Sequence, residues 1–123
     1  MDSRRQLKIS SQLQQEFSNI LLREGRTLFG QAMVTITRVQ VTSDLSIARF
    51  HLSIFNAEDK ESVLETLKSH TPDLRRKLGE QMRFHLRKIP ELQFFLDETL
   101  DHVFRMEEIF KELKKESPDN PPQ

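Results

Sequence analysis

Apolar residues recur at helical spacing near the N-terminus of the chain: Leu13, Phe17, Ile20 and Leu21. Residues spaced in this way lie on one face of a helix, so the pattern predicts a helix from about Arg4 to Glu24. Gly25 follows directly and is typical of the residue that ends a helix. A loop is therefore expected over residues 26–31.

In the next two segments, apolar and polar residues alternate with the period of two that is typical of a β-strand. "MVTITRVQVT" is rich in β-branched residues, and a slip in its alternation predicts a bulge near Thr37 and Arg38. "IARFHLSIF" alternates cleanly and places four apolar side chains on one face, namely Ala48, Phe50, Leu52 and Ile54. In the intervening "VTSDLS", Asp44 can bond to its own backbone, which favours a turn. The two strands are expected to form a hairpin.

The following segment indicates two helices with almost no loop between them. Asn56 is the expected N-cap of the first helix, which ends by His70. Thr71 is the expected N-cap of the second helix, and Pro72 suits its first turn. Apolar residues mark the buried side of this second helix: Leu74, Leu78, Met82 and Leu86. Pro90 stops it, so we predict a helix–kink–helix with its kink at His70, Thr71 and Pro72.

A third strand and a final helix complete the order. "ELQFFLD" alternates as a strand, and Asp97 is the expected N-cap of a helix with apolar positions at Leu100, Val103, Phe104, Ile109 and Phe110. Residues 114–123 are polar and proline-rich, which predicts a flexible tail. The order α-β-β-α-α-β-α predicts an α+β domain over residues 1–113, with one three-stranded sheet and helices on one side.

The length and composition narrow the class of protein. A chain of 123 residues is expected to form a single domain. It has no cysteine, which excludes a disulfide framework and a thiolate metal site. No apolar run approaches the roughly 18 residues of a membrane span, and the N-terminus lacks the apolar core of a secretory signal. A cytoplasmic protein that does not enter the membrane is the simplest interpretation.

Basic and acidic residues balance at 19 each, but they are unevenly distributed. Residues 72–90 hold six basic and two acidic residues, whereas the segment that follows is acidic. On the predicted helix, Arg76, Arg83 and Arg87 share one face. Only Glu80 is expected to pair with them, so the segment predicts a surface for a polyanion such as RNA.

The predicted binding residues form three groups. The first is the basic helix: Arg75, Arg76, Lys77, Arg83, Arg87 and Lys88. The second extends this surface if the N-terminal helix lies nearby: Arg4, Arg5 and Lys8. The third is the outward pair on the hairpin, Arg38 and Arg49. Phe84 is the one aromatic residue within the first group and is also a core candidate, so backbone and shape recognition is favoured over base stacking.

Motifs for catalysis and cofactor binding are absent from the sequence. It has no Gly-rich phosphate loop, no G-x-S-x-G and no histidine pair with zinc-ligand spacing. Asp97, Glu98 and Asp101 form one acidic cluster, which indicates either a divalent metal or acid–base site or the first turn of a helix. We favour the helical interpretation and predict a protein that is not an enzyme and has no cofactor.

The element order resembles the type II KH RNA-binding fold. The GXXG loop of KH domains clamps the RNA backbone, but the corresponding position here is "SHTPD", without glycine. Four segments further resemble the bacterial ribosome-binding factor A family: "TSDLSIARF", "LRRKLG", "IPELQFFLD" and "RMEEIF". The resemblance covers about residues 4–110. The kink of that family usually carries Ala and Gly where this chain has His70 and Pro72.

The resemblance implies a non-enzymatic assembly factor. Its partners would be the free small ribosomal (30S) subunit and 16S rRNA, whose late maturation and processing it assists, with a role in growth in the cold. It also implies a functional link to an assembly GTPase, and we expect a monomer. Two alternatives remain open from the residues themselves: a general KH-like RNA-binding module, and a protein-interaction domain with an acidic partner.

Overall fold

The computed structural model describes residues 2–97, and these form three helices and one three-stranded sheet. In chain order the elements are α1 (Arg4–Phe29), β1 (Met33–Val41), β2 (Ile47–Phe55), α2 (Lys60–Ser69), α3 (Thr71–Met82) and β3 (Glu91–Leu96). The predicted order α-β-β-α-α-β is confirmed over this part of the chain. The predicted final helix, the capping role of Asp97 and the tail lie outside the described residues.

Helix α1 is longer than the sequence predicts. It begins with a capping box in which Ser3 and Gln6 exchange side-chain and backbone hydrogen bonds. The helix continues through Gly25 because Leu28 and Phe29 still pack against the core. It ends at Gly30, whose φ of 62° lies in the left-handed region that favours glycine. The expected loop over residues 26–31 is therefore wrong for residues 26–29 and is confined to the residues that follow.

The sheet has the order β1-β2-β3. Strands β1 and β2 are antiparallel, and the register shifts between Ile36 and Arg38, which confirms the predicted hairpin and bulge. Strand β3 runs parallel to β2, with Phe94 opposite Phe50. A parallel neighbour requires a crossover, and α2 and α3 supply it.

The core lies between one face of the sheet and the helices. At its centre, the ring of Phe17 from α1 lies 4.9 Å from that of Phe50 and 5.7 Å from that of Phe94. The four inward residues predicted on β2 are all buried: Ala48, Phe50, Leu52 and Ile54. The predicted apolar side of the second kinked helix is also buried: Leu74, Leu78, Met82 and Leu86. Three aromatic rings thus join α1 to two strands that are distant in sequence.

The kink between α2 and α3 is as tight as predicted, because only His70 separates the two helices. The caps differ from the prediction. Asp59, and not Asn56, caps α2, accepting hydrogen bonds from two backbone N–H groups of its first turn. Asn56 instead has a φ of 56°. Thr71 is the first residue of α3, and its hydroxyl donates to the Leu67 carbonyl 3.2 Å away.

Helix α3 ends at Met82, so the prediction of a continuous basic helix to Lys88 is wrong. A straight helix would carry Ile89 about 15 Å beyond Gly79. In the structure, however, the side chain of Ile89 comes so close to Gly79 that a Cβ at Gly79 would lie 3.1 Å from its Cγ1. The chain must leave the helix to make this contact and then enter β3.

The hairpin turn is closed by Asp44. Its Oδ1 accepts hydrogen bonds from the hydroxyl and backbone N–H of Ser46 at 2.7 and 3.1 Å, and from the Thr42 hydroxyl at 2.8 Å. These bonds favour the ionised carboxylate and lower the pKa of Asp44 to about 2 from its ordinary 3.8. The turn is therefore stabilised by an ionised side chain.

Asp44→Asn should lower the midpoint of urea unfolding at neutral pH, because Asn keeps the oxygen but loses the charge. A carboxyl whose folded pKa is depressed stabilises above its unfolded pKa, and that stabilisation is lost as the pH falls from about 4 toward 2. The difference from the unsubstituted chain should therefore shrink over that range. Glu58→Gln, at an exposed acid before α2, is the control. A difference that stays constant down to pH 2 would contradict this role.

Candidate nucleic-acid interface

Arg75 on α3 fixes the segment that follows the helix. Its guanidinium donates hydrogen bonds to the carbonyl oxygens of Ile89 and Pro90, at 2.6 and 3.1 Å. Pro90 is among the fully buried residues, so its carbonyl depends on an internal partner. Arg75 was predicted to contact nucleic acid, but in the structure it joins α3 to the start of β3.

Arg76 and Lys77 are paired with acids. Arg76 lies 2.9 Å from Asp73 and 3.0 Å from Glu80, and Lys77 lies 2.5 Å from Glu24 and 3.1 Å from Asp73. Hydrogen bonds from Arg76 and Lys77 lower the pKa of Asp73, and the hydrogen bond to Glu24 raises that of Lys77. The expectation that only Glu80 could pair within this group is wrong, because α1 and the first turn of α3 supply further carboxylates.

The remaining basic residues of the first group lie in the turn between α3 and β3. Arg83, Arg87 and Lys88 are exposed, and none has an ion pair with another residue of 2–97. The turn is anchored by two buried side chains, Met82 and Leu86. The backbone N–H of Leu86 donates to the Met82 carbonyl at 2.9 Å. The anchored turn therefore presents its charges to solvent.

The turn lies beside the N-terminus of α1. Arg5, Arg87 and Lys88 line one pocket of about 430 Å³, together with Glu91 and the hairpin turn. The N-terminal helix therefore lies near the first group, which is the arrangement in which the second group was expected to extend it. We call Arg5, Arg87 and Lys88 the basic patch. Arg4 and Lys8 are exposed on the same first turns of α1, so they carry the positive charge along the helix.

Phe84 is not a core residue. Its side chain is 83% exposed, and the guanidinium carbon of Arg83 lies 4.6 Å from the centre of its ring. The periodicity of Leu78, Met82 and Leu86 could have revealed this, because two positions along a helix turn by about 200° and place Phe84 opposite the buried face. The turn therefore has an exposed aromatic ring that the sequence analysis discounted.

The third predicted group lies apart from the basic patch. Arg38 and Arg49 are exposed on the hairpin and do not line the pocket. Partial burial, together with the charges of both arginines, lowers the pKa of the nearby His51. The His51 ring stacks on Phe95 with centroids 5.5 Å apart. This surface is basic and aromatic, but it lies on the sheet, apart from the basic patch.

The kink occupies the position of the KH clamp. His70 is exposed there, and its Nδ1 lies 2.9 Å from the Thr66 carbonyl oxygen. The backbone N–H of His70 also donates to Thr66 and Leu67, so the polar groups of the kink serve the helix ends. Over residues 2–97 there is no cluster of side chains that could hold a metal ion. No helix in the same part of the chain is long and apolar enough to cross a membrane.

Arg75→Ala should lower the free energy of unfolding by about 1–3 kcal/mol, because it leaves a buried carbonyl without a partner. Arg75→Lys should recover part of this loss, since one ammonium cannot reproduce the paired geometry of a guanidinium. Arg87→Ala, at an exposed arginine in the adjoining turn, should change stability by no more than about 0.5 kcal/mol. Urea unfolding measures all three. Equal losses for Arg75→Ala and Arg87→Ala would contradict the role of Arg75.

Comparisons with known proteins identify relatives over most of the chain. A family model described as "Ribosome-binding factor A" matches residues 5–110. The chain is 40% identical over 113 residues to the Cytophaga hutchinsonii protein named ribosome-binding factor A, which covers 92% of this chain and 85% of that protein.

Solved structures support the same grouping at the level of the fold. The crystal structure of ribosome-binding factor A from Thermus thermophilus matches with a TM-score of 0.60 and 23% identity, over 74% of this chain and 94% of that one. A homology model of the Thermus thermophilus factor, fitted into a cryo-EM map of its complex with 30S, matches with a TM-score of 0.58 and 22% identity, over 72% of this chain and 90% of that one. The predicted KH-like fold is confirmed.

Proposed function

This chain belongs to the ribosome-binding factor A family, and on that premise we propose that it binds the free small ribosomal subunit and assists late maturation of 16S rRNA. The observation that carries the proposal is the family match over residues 5–110. The Thermus thermophilus relative, described in complex with 30S, supports the choice of partner.

The basic patch is the surface we propose for rRNA. Arg5, Arg87 and Lys88 come together from the two ends of the described chain, and they are exposed. Phosphate groups attract such charges and dominate the affinity of most nucleic-acid complexes. A chain with no net charge can bind a polyanion where its basic residues are concentrated. Two acids, Asp44 and Glu91, line the same pocket, so the three basic residues leave it with a net positive charge even before Arg75 is counted. The acids of α3, Asp73 and Glu80, are in ion pairs with Arg76.

The basic residues of the first group are not equally available to phosphates. Arg83, Arg87 and Lys88 are available to phosphates, whereas Arg76 and Lys77 would first have to leave their carboxylate partners. Arg75 would have to release the backbone that leads into β3. We therefore propose that the turn between α3 and β3, together with the N-terminus of α1, makes the main contact. Arg75 holds the turn against α3, and Lys77 joins α3 to α1.

The proposed role is binding without catalysis. We propose that the chain acts as a monomer on the immature subunit. As the family resemblance implies, it would leave with help from an assembly GTPase. The resemblance also implies a role in growth in the cold. A basic patch suits this role, because it binds the phosphate backbone and the shape of folded RNA.

Arg87→Glu combined with Lys88→Glu should weaken co-sedimentation with free small subunits by about tenfold or more, because two phosphate contacts become repulsive. Arg23→Glu combined with Arg26→Glu changes the net charge by the same amount. These two residues lie near the other end of α1, about 30 Å from Arg5 along the helix. This control should bind nearly as well as the unsubstituted chain. Equal losses for the two pairs would indicate a net-charge effect and would contradict the basic patch.

Binding should also depend steeply on salt. With about five phosphates contacted, the logarithm of the affinity should fall against that of the salt concentration with a slope of roughly −3 to −4. Arg87→Gln with Lys88→Gln should reduce the magnitude of this slope by about 1 to 2. Sedimentation over a series of salt concentrations measures both quantities. A slope near zero would favour an apolar protein partner and contradict rRNA binding.

A further inference from the structure

Phe84 is exposed in an environment that is unusual for an apolar residue. Phe84 is 83% exposed, although it lies between two buried residues, Met82 and Leu86. Leu22 on α1 is equally exposed, at 84%. Phe84 and Leu22 differ in their neighbours. The guanidinium of Arg83 lies over the ring of Phe84, and the same turn continues to Arg87 and Lys88 of the basic patch.

The backbone that carries the ring is held on both sides. Before it, the Met82 carbonyl accepts hydrogen bonds from the N–H groups of His85 and Leu86 at 2.8 and 2.9 Å. After it, Arg75 holds the carbonyl oxygens of Ile89 and Pro90. With both ends of the turn bound to α3, its backbone loses little additional freedom when the ring binds a ligand.

The Arg83 contact orients the ring further. Its guanidinium lies over one face, 4.6 Å from the ring centre, a geometry in which the cation is attracted to the π-electrons. The high exposure of the side chain means that much of the remaining ring surface is open to solvent. Aromatic rings and guanidinium planes are the groups on which proteins stack unpaired RNA bases.

We propose that Arg83 and Phe84 form a stacking site for an unpaired base of rRNA, and that Arg87 and Lys88 bind the phosphates beside that base. The Cα atoms of Phe84 and Arg87 are no more than about 11 Å apart even in an extended chain, so one short single-stranded segment reaches both. This inference rests on the proposed function and makes it more specific, because it adds recognition of a base to recognition of the backbone.

The absence of tryptophan and tyrosine from the chain allows a direct optical test. Phe84→Trp places a single indole at the stacking site, and Leu22→Trp places one at an equally exposed control site. A short single-stranded RNA of mixed sequence should quench the fluorescence of Phe84→Trp and leave that of Leu22→Trp nearly unchanged. RNA of the same length without bases should bind through its phosphates without quenching either variant.

Equal quenching of Phe84→Trp by RNA with and without bases would overturn the stacking site, because phosphates alone would then explain the signal. An indole that is already buried in the free protein would also overturn it, since another part of the chain would then cover position 84. Quenching by the base-containing RNA alone would support it.

Affinity for free small subunits provides the second test. Phe84→Ala should weaken binding by roughly 5- to 100-fold, the range found when a stacked aromatic residue is removed. Phe84→Tyr keeps the ring and should bind within about twofold of the unsubstituted chain, as should Leu22→Ala. This pattern would separate loss of stacking from loss of exposed apolar area.

Two outcomes distinguish failure of this inference from failure of the proposed function. If Phe84→Ala binds as well as the unsubstituted chain while Arg87→Glu with Lys88→Glu does not, the stacking site is overturned and rRNA binding through the basic patch stands. If the unsubstituted chain binds neither free small subunits nor RNA, both are overturned.

Discussion

The hydrogen bonds from the Arg75 guanidinium to the carbonyl oxygens of Ile89 and Pro90 determine where the chain goes after α3. A helix that continued to Lys88 would carry these carbonyls far from Arg75. The short distances of 2.6 and 3.1 Å, and the contact of Ile89 with Gly79, therefore require the helix to end and the chain to turn back. Strand β3 then begins at Glu91, whose N–H donates to the Ser46 carbonyl next to the hairpin turn.

This turn divides the positive charge of the segment into two parts with different roles. Arg75, Arg76 and Lys77 remain on α3 and bind carbonyl or carboxylate oxygens within the domain. Arg87 and Lys88 leave the helix and come beside Arg5 at the start of α1. A charge that is already paired contributes less to a polyanion complex than one that is solvated. The proposed rRNA surface therefore includes only part of the predicted basic helix. It is built from the two ends of the described chain.

Much of the fold could be predicted because local patterns and packing agree. The alternation around Phe50, the bulge after Ile36 and the kink at His70 each follow from residues within a few positions. The ends of α1 and α3 could not be predicted in this way. Gly25 and Gly30 are both plausible helix ends, and only the packing of Leu28 and Phe29 decides between them. The spacing of Met82 and Leu86 suits a helix as well as the anchored turn, and the contact of Gly79 with Ile89, ten positions along the chain, decides that case.

The most direct test is a lysine acetylation footprint of the chain, free and bound to the small subunit. Lys8 and Lys88 belong to the proposed rRNA surface, whereas Lys68 lies at the end of α2 beside the kink. We expect Lys8 and Lys88 to lose reactivity together on binding, while Lys68 keeps its reactivity. Protection of Lys68 with unchanged reactivity at Lys8 and Lys88 would show that the kink, and not the basic patch, meets the rRNA, and would contradict the proposed interface.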